Sequence, residues 1–558
     1  MDVTSLHHRR AVERWERVSV GDLFERVTWS YPDKDAIVGW PGAYADPAHA
    51  RVTYRQADEI ANRVANALLA RGLGRGDKVL MFCENSVEAY LTKFGIAKAG
   101  LTCVPVNPML APDVIAYLIE RTEPGFAIVD AELWPKCSEA FGMQGLRPDV
   151  TIEVGGAAVE GSMTFGELVA GRPATEPDVE IHGDDVWEII FTSGTTAMPK
   201  GAMVTHHYSY LGAYSFALTL SRNLHIECDM KLVSFLPLIY HIADQIFSLP
   251  AFLSGGTLVM GRGYDPNNIA RAIDQERVTA LWGGSPAMLT DLAGVLEADP
   301  SLDATSVGVA IYGWTAAPPE LVERLKVRMH PELVVCEILG QTEAISCHRF
   351  WPDKWPEIFR ETAPAVNYVG VPNPMVAADV VDEDGNSLRG TVGVPGEVVY
   401  RSPVVTAGYY KDEDATREAF RGGWFHSGDV CTYDEAGLRI MVDRSKDIVK
   451  SGGENVSSLR VEAILVQHPD VQRAAVVGLP HEQWGEAVTA FVIPADGTRP
   501  DPDALIAWCR ERLAGFETPK GIVLVDDLPA TVGGKVLKYK LRAANQDLYA
   551  TETQGTVP

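Results

Sequence analysis

Apolar positions follow two rhythms along this chain. Across residues 54–71, Ala61, Val64, Ala65, Ala67, Leu68 and Leu69 recur at helical spacing, which predicts an amphipathic helix. Short, nearly continuous apolar runs at 78–82, 103–106, 127–129, 188–191, 231–235 and 256–260 are each followed by a turn or a helix-like stretch. Runs that are apolar on both faces predict buried, mostly parallel strands under covering helices. After about residue 375 the texture shifts to strands with close turns, at 377–381, a turn at 382–386, and 396–400, which predicts a small β-rich subdomain. Beyond 443–447 the chain restarts with a helix at 459–468, strands at 472–477 and 487–493, and a helix at 502–513.

At 558 residues the chain is too long for one ordinary core. The expected architecture is α/β: a large N-terminal domain of stacked α/β sheets at 1–445, its β-rich subdomain at about 375–445, and a small α+β C-terminal domain at 446–558.

Composition narrows the function. Hydrophobic residues make up 46% and charged residues 22%, the balance of a folded globular protein. A formal charge of −26 disfavours nucleic acid and anionic membrane surfaces, which attract cationic faces. Any anion site must therefore be built locally, from backbone amides, hydroxyls and a few placed cations. The cysteines at 83, 103, 137, 228, 336, 347, 431 and 509 lack the paired spacing of a zinc site or a disulfide framework and read as reduced packing residues. Residues 1–10 end in Arg9 and Arg10 but no apolar core follows, so no secretory signal is expected and the cytoplasm is the default address. The run 246–261 is broken by Pro250, Ser254, Gly255 and Gly256 and falls short of the ~20 apolar residues of a spanning helix. A homodimer stays open.

The most informative stretch is Phe191-Thr-Ser-Gly-Thr-Thr-Ala-Met-Pro-Lys-Gly201. It leaves a buried strand and gathers hydroxyls (Thr192, Ser193, Thr195, Thr196), Gly194 and Lys200 into eleven residues. Glycine lets amides approach phosphate oxygens, hydroxyls donate or ligate a divalent cation, and the lysine supplies charge. It is not the common nucleotide loop, because Lys200 precedes the second glycine and no Ser or Thr succeeds it.

This segment resembles the signature loop of the adenylate-forming superfamily of acyl-CoA synthetases, nonribosomal adenylation domains and beetle luciferases. Further motifs of that family follow in order: Pro237-Leu-Ile-Tyr-His241, Trp314-Thr-Ala-Ala-Pro318, Leu339-Gly-Gln-Thr-Glu343, Gly423-Trp-Phe-His-Ser-Gly-Asp429, Asp443-Arg-Ser-Lys-Asp447, Ser451-Gly-Gly-Glu-Asn455 and Gly533-Gly-Lys535. Together they cover nearly the whole chain, and so many colinear matches do not arise from one chance motif.

The resemblance implies roles. Glu343, with Thr195, corresponds to the Mg²⁺-binding position, and a hard cation near phosphates prefers oxygen ligands. Asp429 corresponds to the acceptor of the ribose hydroxyls, and Arg444 lies near ribose or phosphate. Ala316, Ala317, Pro318 and Leu339 would face adenine, Leu339 standing where the family carries a stacking aromatic. Glu337, Gly340, Gln341 and Thr342 belong to the same nucleotide-binding stretch. His241 lies beside the carboxylate pocket, and Tyr240, Trp282, Trp314, Thr315 and Ile345 line the acyl site. Thr315 replaces the family's smaller residue, which favours a modest or flat acyl group over a long straight chain and leaves fatty, aromatic and branched or polycyclic acids open. Lys535 corresponds to the lysine that neutralises charge as the carboxylate attacks the α-phosphorus. Gly533 and Ala530 stand where the family commonly has a hydroxyl and a basic residue. Lys446 is the pivot of a hinge at 443–447 that makes the C-terminal domain mobile, and Ser451, Gly452, Gly453 and Glu454 line a coenzyme A channel. Without the resemblance, Glu343 reads as an exposed helix-start acid, His241 as a satisfied structural residue and Lys535 as a solvated lysine on a glycine turn.

The expected activity is that of an ATP-dependent, AMP-forming carboxylic acid–CoA ligase using ATP, Mg²⁺ and coenzyme A. An amino-acid-activating domain would carry an aspartate at His241 to hold the substrate ammonium. A free-standing ligase that loads a carrier-protein phosphopantetheine thiol is the alternative. A catalytically dead nucleotide sensor is disfavoured because Lys535 and Glu343 are both retained.

Overall fold

The computed structural model describes residues 13–192, 198–452, 454–530 and 536–549. It is a mixed α/β protein with a large N-terminal and a small C-terminal domain. Two sheets organise the large domain. The first orders Met163–Thr164, Val150–Ile152, Phe126–Asp130, Lys78–Phe82, Thr102–Pro105, Val186–Thr192 and Lys200–Thr205. Its pairs are parallel except the last, where Val186–Thr192 and Lys200–Thr205 run antiparallel. Strands such as Phe126–Asp130 are buried along their whole length, as expected where helices cover both faces of a parallel sheet.

The second sheet is parallel through Asp35–Gly39, Thr257–Met260, Lys231–Ser234, Ala280–Trp282, Val309–Gly313 and Val334–Gln341. It then turns antiparallel through Ala344–Phe350 and Asn367–Pro372. Asn367–Pro372 also pairs with Arg439–Arg444, so the strands that read in sequence as a separate β-rich unit continue the central sheet without a break in hydrogen bonding.

The helices expected from the apolar periodicity are present. Tyr54–Leu69 begins with a reciprocal cap, in which the Thr53 side chain accepts from the Gln56 amide and the Gln56 side chain accepts from the Thr53 amide. Val87–Lys98 is capped by Ser86 and buried on every face, so it lies inside the fold rather than on it. Gly95 lets the two helices close together, since a Cβ there would come within 2.6 Å of the Val64 Cβ.

Strand Gly485–Pro494 forms the centre of the C-terminal sheet and pairs along its length with the edge strand Val471–His481, with helices Ser458–Leu465 and Pro502–Arg510 over one apolar cluster. Seven of the cysteines are buried, none of the eight is bridged, and all belong to packing. Among the described residues no helix is long and apolar enough to cross a membrane. The apolar run at 246–261 folds instead into part of a π-helix, the helix Leu249–Leu253 and the strand Thr257–Met260.

Candidate active site

The antiparallel pair Val186–Thr192 and Lys200–Thr205 sets Thr192 opposite Lys200. The strands on either side of the hydroxyl- and glycine-rich segment are therefore antiparallel neighbours; Ser193, Gly194, Thr195 and Thr196 lie outside the described residues. At the hairpin's base the Thr192 hydroxyl lies 3.3 Å from Glu343 Oε1. Glu343 is not on a helix and is not exposed: it occupies the turn between Val334–Gln341 and Ala344–Phe350 and is 8% accessible. The helix-start reading fails because two strands meet at this turn, which buries it.

Sequence reasoning missed Tyr409. Its hydroxyl donates to Glu343 Oε1 at 3.1 Å, and the Lys200 ammonium sits 5.1 Å from the centre of its ring. The segment around it zips onto the hairpin, with the Met203 amide donating to Gly408 O and the Tyr410 amide to Gly201 O, while the Thr406 amide donates to Glu343 O at 2.7 Å. Nothing in the local composition of Gly408-Tyr409-Tyr410 announces a contact with a residue 66 positions away. Glu343 thus receives hydroxyl donors, and no ion pair to it forms among the described residues.

Asp429 and Arg444 are cross-strand partners on Phe425–Tyr433 and Arg439–Arg444. Arg444 Nε lies 3.1 Å from Asp429 Oδ1, and the Asp429 carboxylate holds the guanidinium pKa above its usual value. Asp429 is 1% accessible, yet Oδ1 has no aligned hydrogen-bond donor, leaving a buried acceptor available to a hydroxyl ligand. Gln341 reaches from the neighbouring turn to Ser427 O at 3.3 Å and Asp429 Oδ2 at 3.5 Å. Thr342 O accepts from the Tyr208 hydroxyl, Gly340 is exposed and Leu339 half-buried. Glu337 lies behind them, its carboxyl pushed up to about 8 by burial and receiving the Tyr312 hydroxyl at 2.9 Å. It is a buried, hydrogen-bonded polar group. Ala316 and Ala317 are buried, and Pro318 caps the helix Pro319–Arg328.

His241 Nδ1 accepts from the Ala243 amide at 3.1 Å, which leaves Nε2 as the nitrogen that carries hydrogen in the neutral ring. Tyr240 just before it is buried. Trp314 and Trp282, expected at the acyl site, belong to a ladder of rings: Trp314 packs on Trp282 at 5.5 Å, Trp282 stacks on Phe247 at 4.3 Å, and Phe247 meets Phe216 at 6.1 Å. Phe247 and Phe216 were not foreseen, since an aromatic inside an apolar run looks like any core residue. Ile345 closes the side against Gly212, where a Cβ would approach its Cδ1 to 3.1 Å. Trp314 has φ +71°, a left-handed conformation that costs a residue with a side chain about 1–2 kcal/mol, and it is exposed beside the exposed Thr315.

At the hinge, Asp443 Oδ2 accepts from the Ser458 amide at 2.7 Å and its hydroxyl at 2.5 Å, and Asp447 pairs with Arg542 at 2.8 Å. Burial lowers the Lys446 ammonium pKa. Ser451 and Glu454 face each other across a tight hairpin, the Gly452 amide donates to Trp484 O, and Gly453 lies outside the described residues. Lys535 also lies outside them. The helix that follows it, Lys538–Ala544, is tied to Ser458–Leu465 by Lys538, which donates to Ser458 Oγ at 2.6 Å and pairs with Glu462 at 2.8 Å.

The profile of the AMP-binding enzyme family matches residues 24–410, and that of the AMP-binding enzyme C-terminal domain matches residues 460–535. The 4-hydroxybutyrate–CoA ligase 2 of Metallosphaera sedula is 32% identical over 542 residues, 95% of each chain. The long-chain-fatty-acid–CoA ligase FadD13 of Mycobacterium tuberculosis is 31% identical over 521 residues, 93% of this chain and 98% of that one. Among solved structures, the anthranilate CoA ligase AuaEII in complex with anthranoyl-AMP superposes with a TM-score of 0.82 at 25% identity, covering 95% of this chain and 98% of that one.

Tyr409→Phe removes a donor to a buried carboxylate, and a hydrogen bond to a charged group is worth about 1.5–3 kcal/mol. Acid-dependent pyrophosphate release by the variant is expected to fall about tenfold or more; release at the wild-type rate would show that Glu343 does not depend on this hydroxyl.

Proposed function

The chain belongs to the AMP-binding enzyme family and is an AMP-forming acid–thiol ligase that uses ATP, Mg²⁺ and coenzyme A; we propose how its residues share that reaction and which acids it takes. The observation that carries the reading is the convergence of three separate chain segments on one place: the hairpin base at Thr192 and Lys200, the turn at Glu343, and the strip at Tyr409.

In this reading the exposed Lys200 and the hydroxyl-rich hairpin receive the phosphates. Asp429 accepts from the ribose at Oδ1, which has no aligned donor although Arg444 Nε lies 3.1 Å away, and Arg444 and Gln341 hold that carboxylate in place. Adenine rests between Leu339 and the Ala316–Pro318 backbone. Glu343 suits a divalent cation, because it is a buried carboxylate held by hydroxyls and free of ion pairs among the described residues, and Thr195 would join it. Bound Mg²⁺ supplies charge neutralisation to the phosphate oxygens. The Nε2–H of His241 orients the acid carboxylate. Lys535 meets the charge that develops as that carboxylate attacks the α-phosphorus and pyrophosphate departs. Rotation about Lys446 then withdraws Lys535 and brings the Ser451–Glu454 turn to the thiol path, since one acyl site must serve two reactions with different partners.

The acid is modest or flat. The ladder Trp314, Trp282, Phe247 and Phe216 fills the pocket floor with rings, and Ile345 against Gly212 shuts its flank, so a planar acid stacks where a long straight chain meets side chains. A cytoplasmic enzyme is the setting we infer.

Lys535→Ala is expected to abolish acid-dependent pyrophosphate release while sparing thioester formation from preformed acyl-adenylate; equal loss of both contradicts its role. Thr315→Gly is expected to widen acceptance toward bulkier acids in a panel of benzoate, cinnamate, 2-naphthoate, 4-hydroxybutyrate and octanoate, and an unaltered profile would show that Thr315 does not line the pocket.

A further inference from the structure

A buried ion cluster joins the two halves of the site. Lys93, in the fully buried helix Val87–Lys98, pairs with Glu188 Oε1 at 2.6 Å and Asp244 Oδ2 at 2.5 Å, and its side chain is only 2% accessible. Its ammonium also donates to Ile239 O at 3.0 Å. Gln245 closes the ring from the other side, donating to Glu188 Oε2 at 2.9 Å and Asp244 Oδ1 at 2.7 Å. The same helix holds a second point, since the Tyr90 hydroxyl meets Ser248 Oγ at 2.5 Å.

The partners' places in the chain give the cluster its meaning. Glu188 lies on the strand Val186–Thr192 that leads into the phosphate hairpin. Ile239 and Asp244 bracket His241, and Asp244 and Ser248 are the ends of a π-helix, a form that appears mostly as short pieces at functional sites. One cation thus grips the strand that aims the phosphate hairpin and the segment that aims the acid-orienting histidine. Burying an ammonium and two carboxyls is costly unless every charge is paired, so an apolar side chain would serve packing better. Burial pushes the Glu188 carboxyl up to about 8 and raises that of Asp244, and the Lys93 ammonium between them offsets part of that cost.

We propose that Lys93 is a positioning residue that fixes the phosphate-hairpin strand and the His241 segment in register with each other, through Glu188 on one side and Asp244 and Ile239 on the other. The inference rests on the ligase reading and adds to it a pair of side chains that separately set the ATP and acid halves of the site.

The fold supplies its own control. Lys98, on the same helix, forms a comparable buried cluster with Asp58 at 2.9 Å and Glu176 at 2.6 Å, but no site segment belongs to it. The test measures Tm, and the KM for ATP and for the best acid among benzoate, cinnamate, 4-hydroxybutyrate and octanoate, in Glu188→Gln, Asp244→Asn and Glu176→Gln. Glu188→Gln is expected to raise the KM for ATP about tenfold and that for the acid much less, and Asp244→Asn to do the reverse, because sub-ångström displacements of a site cost rate and binding steeply. Glu176→Gln is expected to lower Tm and leave both KM values within about twofold of wild type. Glu188 and Asp244 variants that behave like Glu176→Gln, or that raise both KM values together, overturn the proposal. Wild-type turnover is read alongside, so a failure of the ligase reading is separable from a failure of this one.

Discussion

The site depends on one pairing: the antiparallel register that sets Thr192 against Lys200. That pairing ends an otherwise parallel sheet with an antiparallel strand and brings Thr192 and Lys200 side by side. The other groups gathered at this place are attached to it. The 406–410 strip hydrogen-bonds along its second strand, Glu343 is held from Thr192 and Tyr409, and Glu188 four residues upstream is held by Lys93. A slip of one residue would turn the side chains of the slipped strand to the opposite face and break these attachments.

Charge explains why the parts are of these kinds. A protein with a formal charge of −26 does not draw in ATP through its overall field. On the proposed reading, binding comes from short-range donors, one exposed lysine, and a cation that a buried carboxylate accommodates. The same economy of charge shows at Asp429, which is partly neutralised by Arg444 and keeps an unaligned acceptor oxygen. Asp443 and Asp447 are likewise engaged by groups of the C-terminal helices, Asp443 by Ser458 and Asp447 by Arg542.

Sequence reading reached the fold class and most strands, because runs such as 78–82 and 377–381 carry an unambiguous period and clear flanking turns, and both fall on observed strands. It did not see that the β-rich strands continue the central sheet, since pairing between Asn367–Pro372 and Arg439–Arg444 is a long-range fact with no local signal. At the site, residues within motifs were legible, whereas Tyr409, Phe247 and Phe216 were not. Their importance comes from what they touch, and a tyrosine after glycine or a phenylalanine in an apolar run has many meanings. Lys93, Glu188 and Asp244 show the same limit from the other direction: as isolated charges in apolar stretches they look like interruptions, and only the fold brings them within 2.6 Å of one another's partners.

The central claim is that this site adenylates an acid before passing it to a thiol. Product analysis with ATP, Mg²⁺ and the acid panel, first without and then with coenzyme A, tests it most directly. The account expects acid-dependent AMP and pyrophosphate, an acyl-adenylate that hydroxylamine traps in the absence of coenzyme A, and an acyl thioester once coenzyme A is added. ADP and phosphate as products, or thioester formation with no trappable adenylate and no pyrophosphate, would contradict it.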